Sequence, residues 1–128
     1  MWYNVENNIE VLENVCKKIL DMDLAFRFVG IINDKGKLIA GGLKQGVKPL
    51  IEDKESEMVH TEIALMMRMR REHDSHLGPV NFAISHREKV VLLSFLVGED
   101  ILYVSSTNDI DLGKIPFRIL QVLKSDVI

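Results

Sequence analysis

Between Val80 and Ser106 the chain passes through three strand-like runs, "VNFAISH" (80–86), "VVLLSFLV" (90–97) and "ILYVSS" (101–106). They are separated only by "REK" and "GED". A parallel crossover needs a dozen or more residues, so these connections allow only antiparallel hairpins. The middle run is apolar on both alternations, Val90, Leu92, Ser94 and Leu96 against Val91, Leu93, Phe95 and Val97. That pattern belongs to an interior strand covered on both faces. The rest of the chain must therefore supply two covering layers.

The sequence on either side of it has the material for them. Val5, Ile9, Leu12, Val15, Ile19 and Met22 recur in steps of four and three, which predicts an amphipathic helix over 5–22. "FRFVGII" (26–32) and "KLIAGGLK" (37–44) read as strands, joined through "NDKGK", where Gly36 supplies turn chemistry. Gly41-Gly42 predicts a bulge or a close backbone approach inside the second strand. Residues 44–52 read as a loop. A long helix follows, over about residues 55–76, with Asp53 or Ser56 as its cap and Gly78-Pro79 as its stop signal. Asp109 or Asp111 can cap a closing helix with Pro116 near its first turn. The expected fold is a single α+β domain over 1–128. Its order is α-β-β-α-β-β-β-α, a three-layer α-β-α sandwich around a five-stranded antiparallel sheet.

Composition narrows the function. A net charge of −3 argues against a nucleic-acid binder. Cys16, the one cysteine, lies in an apolar-periodic segment and reads as a small buried hydrophobe. No apolar run approaches the ~18 residues of a membrane span, and no leader opens the chain, so a cytoplasmic protein is expected.

The hairpin "FRFVGIINDKGKLIAGG", the long helix, the meander "GPVNFAISHREKVVLLSFLVGEDILYVSS" and the terminal helix together resemble the profilin-like layout of Roadblock and longin domains. The resemblance covers nearly the whole chain. "GPVNFAISHREKVVLLSF" is also similar to small archaeal proteins of that layout. The long loop from Lys44 to Asp53 departs from the pattern. Roadblock proteins are homo- or heterodimeric platforms, often regulating or anchoring small GTPases or motor complexes. In them the strand after the long helix is a sheet edge where two copies join and their long helices pack. Here the resemblance places that edge at 80–86.

The helix supports this independently. Placing its residues at 100° intervals gathers Leu65, Met58, Met69, Met66, Val59, Leu77, Ile63 and Met67 into an apolar arc of about 200°, wider than one covering layer needs. Either the helix sinks deeply into its own domain, or one flank covers the sheet and the other a partner. Glu62 and Arg70 fall inside the arc and need either a partner of opposite charge or a snorkelled route to water. Along the edge, Val80, Phe82, Ile84 and His86 alternate with small Asn81, Ala83 and Ser85, which would let two helices approach closely. The expected interface is Met58, Glu62, Met66, Met69, Arg70, His73, Asn81, Ala83 and Ser85.

Chemical motifs are weaker. His73 and His76 sit one turn apart, but a metal site needs three or four ligands, so they read as the end of a helix. His60 is expected to meet solvent. Arg68, Arg70 and Arg71 scatter around the helix rather than forming a basic stripe, and "GGLKQG" lacks a phosphate-loop pattern. No catalytic residue, cofactor or metal is expected. The leading reading is a non-enzymatic dimeric scaffold whose partner is a small GTPase or a second Roadblock-like chain. The alternative is a small-molecule sensor of PAS or profilin-like shape; an enzyme ranks third.

Overall fold

The computed structural model describes residues 9–127, in the order α1 (Ile9–Leu20), β1 (Phe26–Ile32), β2 (Leu38–Leu43), α2 (Asp53–Arg71), α3 (Asp74–Leu77), β3 (Ala83–His86), β4 (Val91–Val97), β5 (Asp100–Ser106) and α4 (Ile115–Val127). The strands form one antiparallel sheet in the order β2-β1-β5-β4-β3, so β2 and β3 are its edges. No described helix is long and apolar enough to cross a membrane.

Strand alternation divides the core in two. Val29, Ile31, Val91, Leu93, Phe95, Leu102 and Val104 point to one face, under Leu12, Val15 and Ile19 of α1 and Ile115, Ile119 and Leu123 of α4. Ile32 and Ile101 point to the other, where Ala64 and Met67 of α2 meet them. The result is the expected α-β-α sandwich with unequal layers: the α1/α4 side holds most of the buried side chains. Burial in that layer pushes the Cys16 thiol up to about 12, which keeps it protonated and unreactive.

Several boundaries differ from expectation. The predicted start of the first helix at residue 5 lies outside the described residues, and α1 ends at Leu20 with a turn closed by Met22 N–H on the Ile19 carbonyl. The bulge in the first hairpin falls between Ile31 and Ile32, not at the glycine pair. Gly41 instead provides the close approach: at φ 87° it faces the Val29 carbonyl so tightly that no Cβ fits. The first strand of the meander begins at Ala83 rather than Val80. The strict alternation therefore does not reach back to Val80, which packs with the α2 cluster instead of beside Phe82.

Helix α2 starts at Asp53 with Glu52 as its N-cap residue, earlier than expected, and neither Asp53 nor Ser56 caps it; the Ser56 N–H bonds the Glu52 carbonyl. It also ends at Arg71, short of the expected His76. Glu72 and His73 donate to the carbonyls of Met69 and Arg70, a tightened last turn, and a separate turn, α3, follows. None of the four α3 residues is buried, so no apolar anchor holds a straight continuation against the sheet.

Candidate functional site

The long helix is thinly anchored. Of the 19 residues of α2 only His60, Ala64 and Met67 are buried. His60 corrects a sequence expectation: it does not meet solvent. Its ring packs between Phe28 (centroids 5.8 Å) and Tyr103 (5.2 Å, edge-on). Burial lowers its pKa below 6.5, while Glu57 pulls weakly the other way. By alternation Phe28 and Tyr103 share the α2 face of their strands with Ile32 and Ile101. The three rings thus form the second anchor of the helix, beside the Ala64–Met67 cluster.

One flank of α2 is clamped by loops. Gly36, at φ 85°, lies so close to the helix that a Cβ there would stand 2.6 Å from the Thr61 Cα. The Arg68 guanidinium donates to the Asp34 carbonyl (3.1 Å) and that of Arg71 to the Glu99 carbonyl (3.5 Å). Asp34 and Glu99 also stand near Asp100, whose carboxyl is raised above 3.8 by burial first and by those two charges second. Thr61 and Arg68 therefore mark the side of the helix that faces the β1–β2 hairpin.

The opposite flank is bare. Met58 (63%), Leu65 (50%), Met66 (46%) and Met69 (60%) are exposed, as are Glu62 and Arg70 among them. About 160° separates Arg68 from Arg70 around the helix axis at 100° per residue, so this flank turns toward the β3 side of the sheet. The wide arc is thus split. Val59, Ile63 and Met67 turn toward the sheet, and the methionine stripe has no cover among the described residues. The helix is not sunk in its own domain. Leu77 leaves the arc because the helix ends at Arg71; it projects from α3 at 82% exposure.

The edge strand adds to this flank. Ala83 and Ser85 lie opposite Ser94 and Leu92 on the α2 side, and Ala83 packs with the Ala64–Met67 cluster. Asn81 precedes the strand and is exposed. Of the expected interface residues, then, Met58, Glu62, Met66, Met69 and Arg70 share one exposed flank. Ala83 and Ser85 lie on the same sheet face, and His73 stands just past the helix end. The expected set omits Leu65, which the helical arc already contained. It also omits Ile84, 40% exposed, because alternation sends Ile84 to the far face.

The histidine pair is parted by the helix break. His73 is the cap residue of α3, and His76 shares a hydrogen bond between its Nδ1 and Ser75 Oγ (2.9 Å). Among the described residues no group of three or more His, Cys, Asp or Glu side chains is placed to hold a metal ion. Two surface depressions, at residues 49–55 and 87–90, are each lined by one stretch of chain and open to solvent.

Comparison with known proteins gives this geometry a context. No curated protein sequence matches the chain. Among solved structures, the gliding protein MglB of Thermus thermophilus is similar with a TM-score of 0.72 at 18% identity, covering 98% of this chain and 93% of that one. An MglB structure with a tetrameric arrangement gives 0.72 at 19% identity, over 98% and 92%. A Roadblock/LC7 domain from Streptomyces avermitilis gives 0.67 at 10% identity, over 89% and 92%. Those likenesses establish the Roadblock fold. The sequence itself is matched over residues 4–127 by the model of the family of unknown function DUF6659, and the chain belongs to that family.

Proposed function

We propose that this protein is a non-enzymatic, dimeric regulatory or scaffolding module whose working surface is the bare flank of α2 continued by β3. The observation that supports this reading is the uncovered stripe of Met58, Leu65, Met66 and Met69 on a helix with so few buried residues. Contiguous exposed apolar surface marks an interaction site, and methionine suits an adaptable one. A second copy is the first occupant. Glu62 and Arg70 stand four residues either side of Met66. Two α2 helices crossing antiparallel at Met66 set Glu62 of each against Arg70 of the other, which gives both charges the partners they need within an apolar stripe. The assembled platform then takes a small GTPase or a larger complex, the task that the Roadblock resemblance implies. The open depressions give little support to a small-molecule sensor, whose ligand needs a largely enclosed site.

Light scattering tests the first step. The wild-type chain should show about twice 14.6 kDa, and Met66→Asp or Arg70→Glu should halve that mass without loss of helical signal. The double exchange Glu62→Arg with Arg70→Glu should recover the dimer. A monomeric wild type at tens of micromolar, or variants of undiminished mass, would reject this seam. The second step is tested by retention of a small GTPase from native lysate on the wild type but not on Met66→Asp.

A further inference from the structure

Two edges bound the sheet, and the dimer reading uses only β3. The other edge, β2, has the sequence LIAGGL, with no charge and no proline to discourage a neighbour. Leu38 and Leu43 are 40% and 42% exposed at its two ends. Between them the glycine pair adds no bulk, and a Cβ built on Gly42 would meet nothing within 4 Å. A strand of this composition at an open edge invites pairing with another chain.

The hydrogen-bond phase of the hairpin tells which groups β2 has on offer. The Lys44 N–H donates to the Arg27 carbonyl (2.8 Å). Antiparallel pairs alternate, so Gly42 and Ala40 bond to Val29 and Ile31, and the backbone groups of Gly41 and Leu43 point away from β1. One of these two outward donors is already engaged. The Gly41 N–H donates to Glu13 Oε1 of α1 (3.0 Å). The placement follows from the helix. Leu12, Val15, Cys16 and Ile19 turn α1 toward the sheet, and Glu13, about 100° round from Leu12, leaves on its flank. The reach succeeds because Gly41 puts no side chain between the carboxylate and the amide, and its φ of 87° disfavours any other residue there. The carboxylate oxygen thus occupies the position that the carbonyl of an added strand would take.

We propose that Glu13 is an edge guard: its carboxylate stands in for the carbonyl of a neighbouring strand and keeps β2 from pairing with β2 of a second copy. A two-fold antiparallel join centred on Gly42 sets Gly41 of each copy against Leu43 of the other, and the two pairs make about four backbone bonds. With both Gly41 donors held by Glu13, about two of those four cannot form. The incoming strand must also displace and desolvate a carboxylate, which costs more than displacing water. The guard acts at an edge that the α2–β3 reading does not use, so either can fail without the other.

Light scattering at hundreds of micromolar tests the guard. Glu13→Ala should double the mass of whatever species the wild type forms. Glu13→Gln, whose amide oxygen still accepts a hydrogen bond, should leave that mass unchanged. Adding Leu43→Pro to Glu13→Ala should restore the wild-type mass, because proline removes the other outward donor without costing a bond to β1. Amide exchange reads the contact itself. In solution dilute enough to hold Glu13→Ala at the wild-type mass, its Gly41 N–H should exchange about fivefold faster than in the wild type, the weight of one net hydrogen bond, with Gly42 unchanged. Wild-type mass for Glu13→Ala at high concentration, or Gly41 exchange unaltered in the folded variant, overturns the guard. A doubled mass in Glu13→Gln overturns the role of the acceptor oxygen, and growth that survives Leu43→Pro overturns β2 as the place of pairing.

Discussion

His60 is the residue whose chemistry most affects how α2 is held. Its imidazole is buried between Phe28 and Tyr103, and burial holds its pKa below the ordinary 6.5. In the unfolded chain the ring takes up a proton near 6.5; in the folded chain it resists until lower pH. The unfolded state then binds more protons, so stability falls as pH drops below 6.5 toward the folded value. Asp100 works in the opposite sense, since its raised carboxyl is protonated more readily in the folded chain, which relieves its repulsion with Asp34 and Glu99 in acid. Urea midpoints measured at about pH 7.5 and about pH 5.5 should fall for the wild type and fall less for His60→Phe. An equal drop in both proteins would remove His60 as the cause. Sequence alone misplaces this residue for a definite reason. A helical wheel orders residues around an axis, but the direction of the sheet is set by partners such as Phe28 and Tyr103, dozens of positions away. An apolar arc points at the sheet only when the sheet is all that it covers. Here its excess width hides the fact that the sheet lies toward one margin of it.

At the scale of elements, adjacent methionines of α2 separate the two demands on that helix. Met67 is 2% exposed in the cluster with Ile32, Ala64 and Ile101, whereas Met66 is 46% exposed. Met67→Ala should cost about 2–5 kcal/mol of stability, and Met66→Ala less than about 0.5 kcal/mol when both are unfolded at concentrations where the chain is monomeric. Comparable losses would mean that the stripe is covered within its own chain. The strands are legible because their signals are local: short connections and period-two alternation give β3, β4 and β5 their order and faces. The helix end is not. Gly78-Pro79 is a genuine stop signal, yet the break comes at Glu72 and His73, where an unbroken polar run from Arg70 to His76 offers the sheet nothing apolar to hold. Periodicity inside α2 is enough to gather Met58, Met66 and Met69 on one flank. His73, which depends on extrapolating past Arg71, falls outside that stripe.

For the whole molecule, the unequal layers make folding and association hard to separate. The α1/α4 side carries the larger core, while α2 leaves much of its apolar surface bare. If a second copy covers that surface, binding adds to folding by mass action, and the melting temperature should rise with protein concentration. Calorimetry across a hundredfold range should show that rise in the wild type and a flat line in Met66→Asp; a flat line in both would argue that the bare stripe contributes nothing to stability. The Glu13–Gly41 contact has a consequence on a larger scale still. A sheet with two receptive edges can add copies without end, and the product is a filament. Here the Gly41 N–H of the β2 edge is already bonded to a carboxylate of its own chain, and in the proposed dimer a two-fold pairing would consume the other edge. Growth through the sheet would then close after a single step, since the Glu13 carboxylate leaves the β2 edge one donor short for an incoming strand.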